Sequence, residues 1–294
     1  MEADSINGFF DLNITHKPDD KLIERIIEFN YRAIALNWIV DVSNSIPKKG
    51  VKKKRNSHAN NENIIIFSEE LFCSFNNLIK KYYEKLKIFL RITIIFNTQE
   101  QLKQVLSSPH IKKYDLVAVL PASTTAYEHA CNNQLIDLIS FEIGVSNYKP
   151  TGKFHKLLVN RSGYFEIAYS QALQSSAKRQ ELFTMVQYFN IYGKSKNAIL
   201  SSGASHYLEL RNPYDVANLG ILFGLSEDKA KCSLSKNCKS LLLTAAGKKY
   251  GKTAIIVELI DDEEPRQKRT KLNSSDNISK VTQSISSLTT TEQK

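Results

Sequence analysis

Acid–base, nucleophilic or metal chemistry in a chain of alternating strands and helices needs carboxylates, imidazoles or hydroxyls where the strands end, because neighbouring side chains converge there. In this 294-residue sequence those positions are Asp11, Asn13, Asn37, Thr93, Glu142, Glu166, Tyr169, Ser201 and Ser202. The six histidines do not complete a metal set. They are spread over His16, His58, His110, His129, His155 and His206 without an i, i+4 pair, although His16 and His206 each follow a predicted strand. Leu-Ser-Ser-Gly-Ala around Ser201 and Ser202 is not the Gly-x-Ser-x-Gly turn that exposes a serine nucleophile. Cys73, Cys131, Cys232 and Cys238 are scattered without zinc-ligand spacing and read as free thiols of a reducing compartment.

Neutralising phosphate needs less: lysines and arginines spread over a surface, releasing counterions as they bind. The net charge of +10 and isoelectric point near 9.2 favour such a partner. Candidate contacts are Lys153, Lys156, Arg161, Lys178, Arg179, Arg211, Lys248, Lys249 and Lys252, each equally readable as a solvated charge. Arg211 and Asp215, at i, i+4, suggest a local ion pair. Arg91 stands apart. It interrupts the apolar run Ile88-Phe-Leu-Arg-Ile-Thr-Ile-Ile-Phe96, so it is expected to meet a carboxylate inside the fold or at its mouth.

The elements that must position these groups follow from apolar periodicity. Strands are predicted over Phe9–Thr15, Ala33–Trp38, Ile88–Phe96, Asp115–Leu120, Leu138–Phe141, Tyr164–Tyr169 and the segment opening at Asn197. Helices between them carry buried faces such as Leu22, Ile23, Ile26 and Ile27, or Leu182, Met185, Val186 and Phe189. One further helix starts at Pro213, carries Val216, Leu219, Gly220 and Phe223, and stops at Gly224. A single last helix is expected to hold Ala230, Leu234, Cys238, Leu241 and Leu242.

Repeated strand–helix units ending in a helix point to an α/β fold, a TIM-barrel-like (β/α) barrel with seven or eight parallel strands over residues 1–257. An open doubly wound sheet is the alternative, but no glycine-rich phosphate loop follows the first strand. Residues 43–66, with Lys52-Lys-Lys-Arg55, read as a flexible basic insertion, and 258–294 as a disordered polar tail whose Arg266–Lys271 cluster suits nuclear import. No apolar run reaches the roughly 18 residues of a membrane span.

The stretch Leu208-Glu-Leu-Arg-Asn-Pro-Tyr-Asp-Val-Ala-Asn-Leu-Gly-Ile-Leu-Phe-Gly-Leu-Ser226, preceded by Ser201-Ser202, resembles the signature of a protein subunit of nuclear ribonuclease P. Its matching positions are Ser201, Ser202, Glu209, Arg211, Pro213, Tyr214, Asp215 and Asn218. Arg91–Ile95, Tyr114–Pro121 and Phe165–Ser170 resemble other segments of that family in the same order. The resemblance implies a TIM-barrel-like fold similar to that of polymerase-and-histidinol-phosphatase phosphoesterases. Those enzymes carry a His-x-His metal pair where this chain has Asp11-Leu-Asn13. It further implies a chain that is not itself catalytic and holds no cofactor, within a ribonuclease P particle whose RNA uses Mg2+ to remove the 5′ leader of precursor tRNA. Implied partners are ribonuclease P RNA, the RNA of ribonuclease MRP, which acts in ribosomal RNA processing, and other protein subunits including a small α/β one. The implied location is nucleus and nucleolus. Two other readings stay open: a metal-dependent barrel phosphoesterase, and a barrel acting purely as a protein-interaction module.

Overall fold

Strands whose successive residues are apolar on both faces can be satisfied by a sheet covered with helices outside and filled by its own side chains inside. The computed structural model describes residues 8–15, 17–43 and 69–250 and builds that arrangement from seven parallel strands lying side by side in sequence order. The expected basic insertion, the tail, His16, His58 and Lys252 lie outside the described residues.

The chain runs β1 (Phe9–Thr15), α1 (Asp20–Glu28), β2 (Tyr31–Asp41), α2 (Glu69–Tyr82), β3 (Lys87–Phe96) and α3 (Gln99–Leu106). A 3-10 turn over Pro109–Lys113 leads to β4 (Leu116–Pro121), α4 (Thr124–Asn132), β5 (Leu138–Ser140), α5 (Gly152–Asn160) and β6 (Tyr164–Ala168). Then come α6 (Ser170–Gln174), α7 (Ser176–Gly193), β7 (Ala198–Ser201), a 3-10 turn at Tyr207–Glu209, α8 (Pro213–Leu222), α9 (Glu227–Leu234) and α10 (Lys236–Tyr250). Helix starts follow local chemistry. Asp19 accepts the Leu22 N–H at 3.0 Å, Thr98 and Gln101 form a reciprocal capping box, and Asn212 caps α8 just before Pro213.

Between β7 and β1 no eighth strand occurs among the described residues. Instead Ala204 bridges Ile14, the Thr15 N–H donates to the Ala204 carbonyl at 3.0 Å, and the Ser202 N–H donates to the Asp11 carboxylate at 3.1 Å. A bulge in β1 between Asp11 and Ile14 gives that strand the bend this closure requires.

Two cores result. Outside the barrel, Ile34, Leu36, Ile92, Ile94, Val119, Ile139, Phe165 and Leu200 pack under the helices. Inside, at the amino ends of the strands, Phe10, Ala33, Phe89, Leu116, Leu138, Tyr164 and Ile199 meet Cys238, Leu241, Leu242 and Ala245 of α10. Helix α10 therefore plugs one end of the barrel. That role corrects the expected single last helix. The chain must turn from the flank, where α9 packs on β7, to lie across the barrel end. It breaks at Ser235 (φ −129°, ψ −86°), giving two helices. Helix α6 was also unanticipated.

Gly220 tests how tightly the outer core is fitted. A Cβ there would sit 2.8 Å from Leu200 Cδ1 and 3.0 Å from Ala230 Cβ. Gly220→Ala is expected to lose roughly 1–3 kcal/mol by overpacking, measurable by urea unfolding. An unchanged or raised midpoint would show that α8 can move off the barrel.

Candidate functional site

Inside the other half of the barrel the same inward period carries polar groups. Arg91 follows Phe89 and precedes Thr93 on one face of β3, while Glu166 lies between Tyr164 and Ala168 on β6. Both are fully buried, and they meet as a two-pronged pair. Arg91 Nη1 donates to Glu166 Oε1 at 2.5 Å and Nη2 to Oε2 at 2.6 Å. The remaining guanidinium protons are also placed: Nη1 donates to the Leu12 carbonyl, Nη2 to Ser140 Oγ and Nε to Thr93 Oγ1. Thr93 donates to Asn37, Asn37 to Asn13, and Asn13 Nδ2 to Glu166 Oε2 at 3.4 Å. Ser140 gives Glu166 a further bond at 2.5 Å. The network spans β1, β2, β3, β5 and β6. It floors a cavity of about 160 Å³ at the carboxyl end of the barrel, with Glu142, Gln171 and Lys178 on its rim.

Burial alone would raise the Glu166 carboxyl. The Arg91 guanidinium, with bonds from Arg91 and Ser140, outweighs it and holds the group below its ordinary value. Asp11 behaves differently. Burial pushes it up to about 6, opposed by the Ser202 and Asn13 groups that donate to it and reinforced by the Glu166 charge. At the rim burial raises Glu142, with Lys178 opposing.

The site expectations separate cleanly. Asn13, Asn37, Thr93 and Glu166 are brought together, and Arg91 finds its carboxylate. Asp11 and Ser202 serve closure, and the Tyr169 hydroxyl accepts the Arg211 N–H at 3.0 Å. Ser140 and Gln171 were missed. Ser140 had a signal, a hydroxyl at an inward position of an apolar strand, whereas Gln171 belongs to the unanticipated α6. As a metal centre the site is a poor fit: its one interior glutamate is held by a guanidinium, and an amide stands at Asn13. Among the described residues no group of three or more His, Cys, Asp or Glu is arranged to hold a metal.

The basic candidates also divide. Lys153 and Lys156 are exposed on α5, with Lys153 5.4 Å from the Phe154 ring centroid. Lys178 lies on the cavity rim bonded to Gln174, and Arg179 Nε donates to the Ala172 carbonyl. Arg161 is committed elsewhere. Its guanidinium ties the carbonyls of Ala130, Cys131 and Ile136 at the end of α4. Lys248 and Lys249 reach Asp137 and Asp115 at 2.8 and 3.0 Å. Arg211 Nη1 bonds the Leu208 and Leu210 carbonyls, so the expected Arg211–Asp215 pair is replaced by a contact that holds the turn before α8.

The family profile described as RNase P subunit p30 matches residues 8–250. The chain belongs to the ribonuclease P subunit p30 family. It is 31% identical to ribonuclease P protein subunit p30 of Mus musculus over 80% of this chain and 85% of that protein. It is 27% identical to a probable ribonuclease P protein subunit 3 of Schizosaccharomyces pombe, covering 81% and 88%. With Arabidopsis thaliana protein GAMETOPHYTE DEFECTIVE 1 it shares 34% identity over 58% of this chain, but spans only 30% of that protein. Among solved structures, a chain of archaeal ribonuclease P with mature tRNA aligns at a TM-score of 0.62 and 14% identity, covering 86% of this chain and all (100%) of that one, a likeness of fold. In this p30-family chain the signature serves several purposes. Ser201 and Ser202 are buried at the seam, Glu209 caps the turn through the Ser205 and His206 N–H groups, and Pro213 starts α8. Tyr214, Asp215 and Asn218 are exposed.

Removing one member of a buried pair leaves the other uncompensated, at about 3–5 kcal/mol. Arg91→Met and Glu166→Leu are each expected to lose that much in urea unfolding, and loss of under 1 kcal/mol would show that water reaches the pair. The pH dependence has two opposed parts. Glu166, lowered in the fold, contributes stability above its unfolded value that is lost as pH falls through the folded one. Asp11, raised in the fold, takes up its proton there first, so stability gained on acidifying from about 6 toward 3.8 is its own. Asp11→Asn is expected to remove that gain relative to the unchanged chain, and identical pH profiles would contradict the assignment.

Proposed function

We propose that this chain acts as a protein subunit of ribonuclease P, contacting the catalytic RNA and supporting removal of the 5′ leader from precursor tRNA while making no bond itself. One observation carries the non-catalytic part: the carboxylate a barrel enzyme would use, Glu166, is committed to Arg91 and Ser140. An anionic side chain so held cannot also abstract a proton or ligate a cation without first breaking that pair. The Mg2+ of the reaction would then sit on the RNA. Family membership and the basic balance of +10 support an RNA partner. The ribonuclease P RNA, the MRP RNA, a small α/β subunit, and residence in nucleus and nucleolus complete the reading.

A protein-docking role has its own support. Tyr214 and Leu222 of α8 are 62% and 67% exposed, and Leu208 in the turn before it 63%, as expected of a surface that another protein covers. The two roles are compatible in one particle.

Purification of the tagged chain from its own cells, followed by sequencing of the co-purified RNA, tests the proposal. Enrichment of ribonuclease P RNA together with precursor-tRNA cleavage in the purified material is expected. A chain recovered with proteins but without enriched RNA would favour a pure interaction module, and metal-dependent phosphoester cleavage by the isolated chain would favour the phosphoesterase.

A further inference from the structure

Function on a (β/α) barrel ordinarily sits at the carboxyl ends of the strands. The charge of this one is distributed otherwise. At the amino ends, α10 lies across the barrel with four lysines and no acidic residue in its sequence. Its first turn is tied to β7 by Asn237, which donates to the Ala198 carbonyl, and its last to β4 and β5 by Lys249–Asp115 and Lys248–Asp137. Those two pairs matter for what remains. They neutralise the acids that precede β4 and β5, leaving Glu84 as the remaining acid in the loops that lead into strands β2 to β7 among the described residues. The helices add Glu28, paired with Arg25, at the end of α1, and Glu227, paired with Lys231, and Asp228 at the start of α9.

Around the plug the same loops carry exposed lysines: Lys85 before β3, Lys112 and Lys113 before β4, Lys194 and Lys196 before β7. Lys236 is exposed on α10 itself. Two exposed tyrosines stand at this end beside lysines. Tyr83 (59% exposed) lies 5.2 Å below the Lys87 ammonium, and Tyr250 (65% exposed) 5.8 Å from that of Lys249. Lysines spaced over a surface with open aromatic faces among them suit phosphate neutralisation together with base stacking. The carboxyl end is mixed by comparison. Lys149, Lys153, Lys178 and Arg179 there are interspersed with Glu100, Glu142, Glu181 and Glu209.

We infer that the amino-terminal, plugged end of the barrel is the RNA-contacting face, with lysines about α10 gripping phosphates and Tyr83 and Tyr250 offering stacking surfaces to unpaired bases. The inference rests on the proposed ribonuclease P role and deepens it. The partner is a structured RNA, whose phosphates the spaced lysines neutralise and whose unpaired bases the tyrosines stack on.

The test compares two charge-removal sets in the full chain. One replaces Lys85, Lys112, Lys196 and Lys236 by alanine, all outside the two aspartate pairs that hold the plug. The other replaces Lys149, Lys153, Lys178 and Arg179. Both are assayed by filter binding to transcribed ribonuclease P RNA across a salt series, with thermal melts to verify folding. The first set is expected to weaken binding by on the order of 10–1,000-fold and to flatten the salt slope by roughly 3, and the second to change affinity less than about 3-fold. Tyr83→Ala with Tyr250→Ala is expected to weaken binding without altering the slope. Equal losses from both sets, or a larger loss from the second, would overturn the face assignment while leaving the ribonuclease P reading intact. Retained RNA binding with loss of a co-purifying protein in the first set would overturn it in favour of an acidic protein partner. Absence of RNA binding by the unaltered chain, alone and in its purified complex, would instead contradict the ribonuclease P reading, and with it this inference.

Discussion

The Arg91–Glu166 pair is the constraint on which the interior depends. Strands β3 and β6 lie on different sides of a sheet that closes on itself, and the pair joins them through two parallel charge-assisted bonds, neither partner exposed. Such a pair has little margin. In a low-dielectric interior every unmet donor or lone pair is costly, so Thr93, Ser140, Asn37 and Asn13 follow as obligations of the first two residues. Their side chains fill the barrel where an enzyme would leave room for substrate, and the space left above them is about 160 Å³.

From this follows a division between the ends of the molecule. One end is filled by a polar network, the other by the apolar face of α10. Lys248 and Lys249 lock that helix to acids that also accept backbone N–H groups: Asp115 from Leu90 and Asp137 from Val117. The aspartates thereby join strand pairing, helix docking and local charge balance in single residues. The closure between β7 and β1 is similar in kind, with the Asp11 carboxylate supplying to Ser202 what a strand carbonyl would have supplied. Among the described residues, the seven strands are joined end to end by this side chain together with the Ile14–Ala204 backbone bridge.

Much of this was legible in the sequence. Short apolar runs located all seven strands, and the two charged residues that broke the runs at inward positions, Arg91 and Glu166, are those that pair. An arginine inside an apolar strand has few alternatives to a buried carboxylate. The partner could not be chosen from spacing, since Asp11, Glu142 and Glu166 all lie in or just after strands and only closure decides which one lies opposite. The break at Ser235 was hidden because Ala230, Leu234, Cys238, Leu241 and Leu242 keep helical spacing through it. Only the barrel end, a tertiary demand, requires the turn there. Surface lysines were the least legible. Lys248, Lys249 and Arg161 look like any basic residues until aspartates and carbonyls distant in sequence are brought beside them.

We propose that the barrel interior holds the fold and takes no part in the chemistry. It is tested most directly by replacing the pair with apolar residues of similar volume, Arg91→Met with Glu166→Leu, in a reconstituted ribonuclease P particle. Such a swap of a buried ion pair is often neutral or stabilising, by as much as about 1–4 kcal/mol. Precursor-tRNA cleavage at the rate of the unaltered particle is the result expected. Loss of cleavage in a particle that assembles fully, with the double variant folded, would place Arg91 or Glu166 in the reaction and contradict the account.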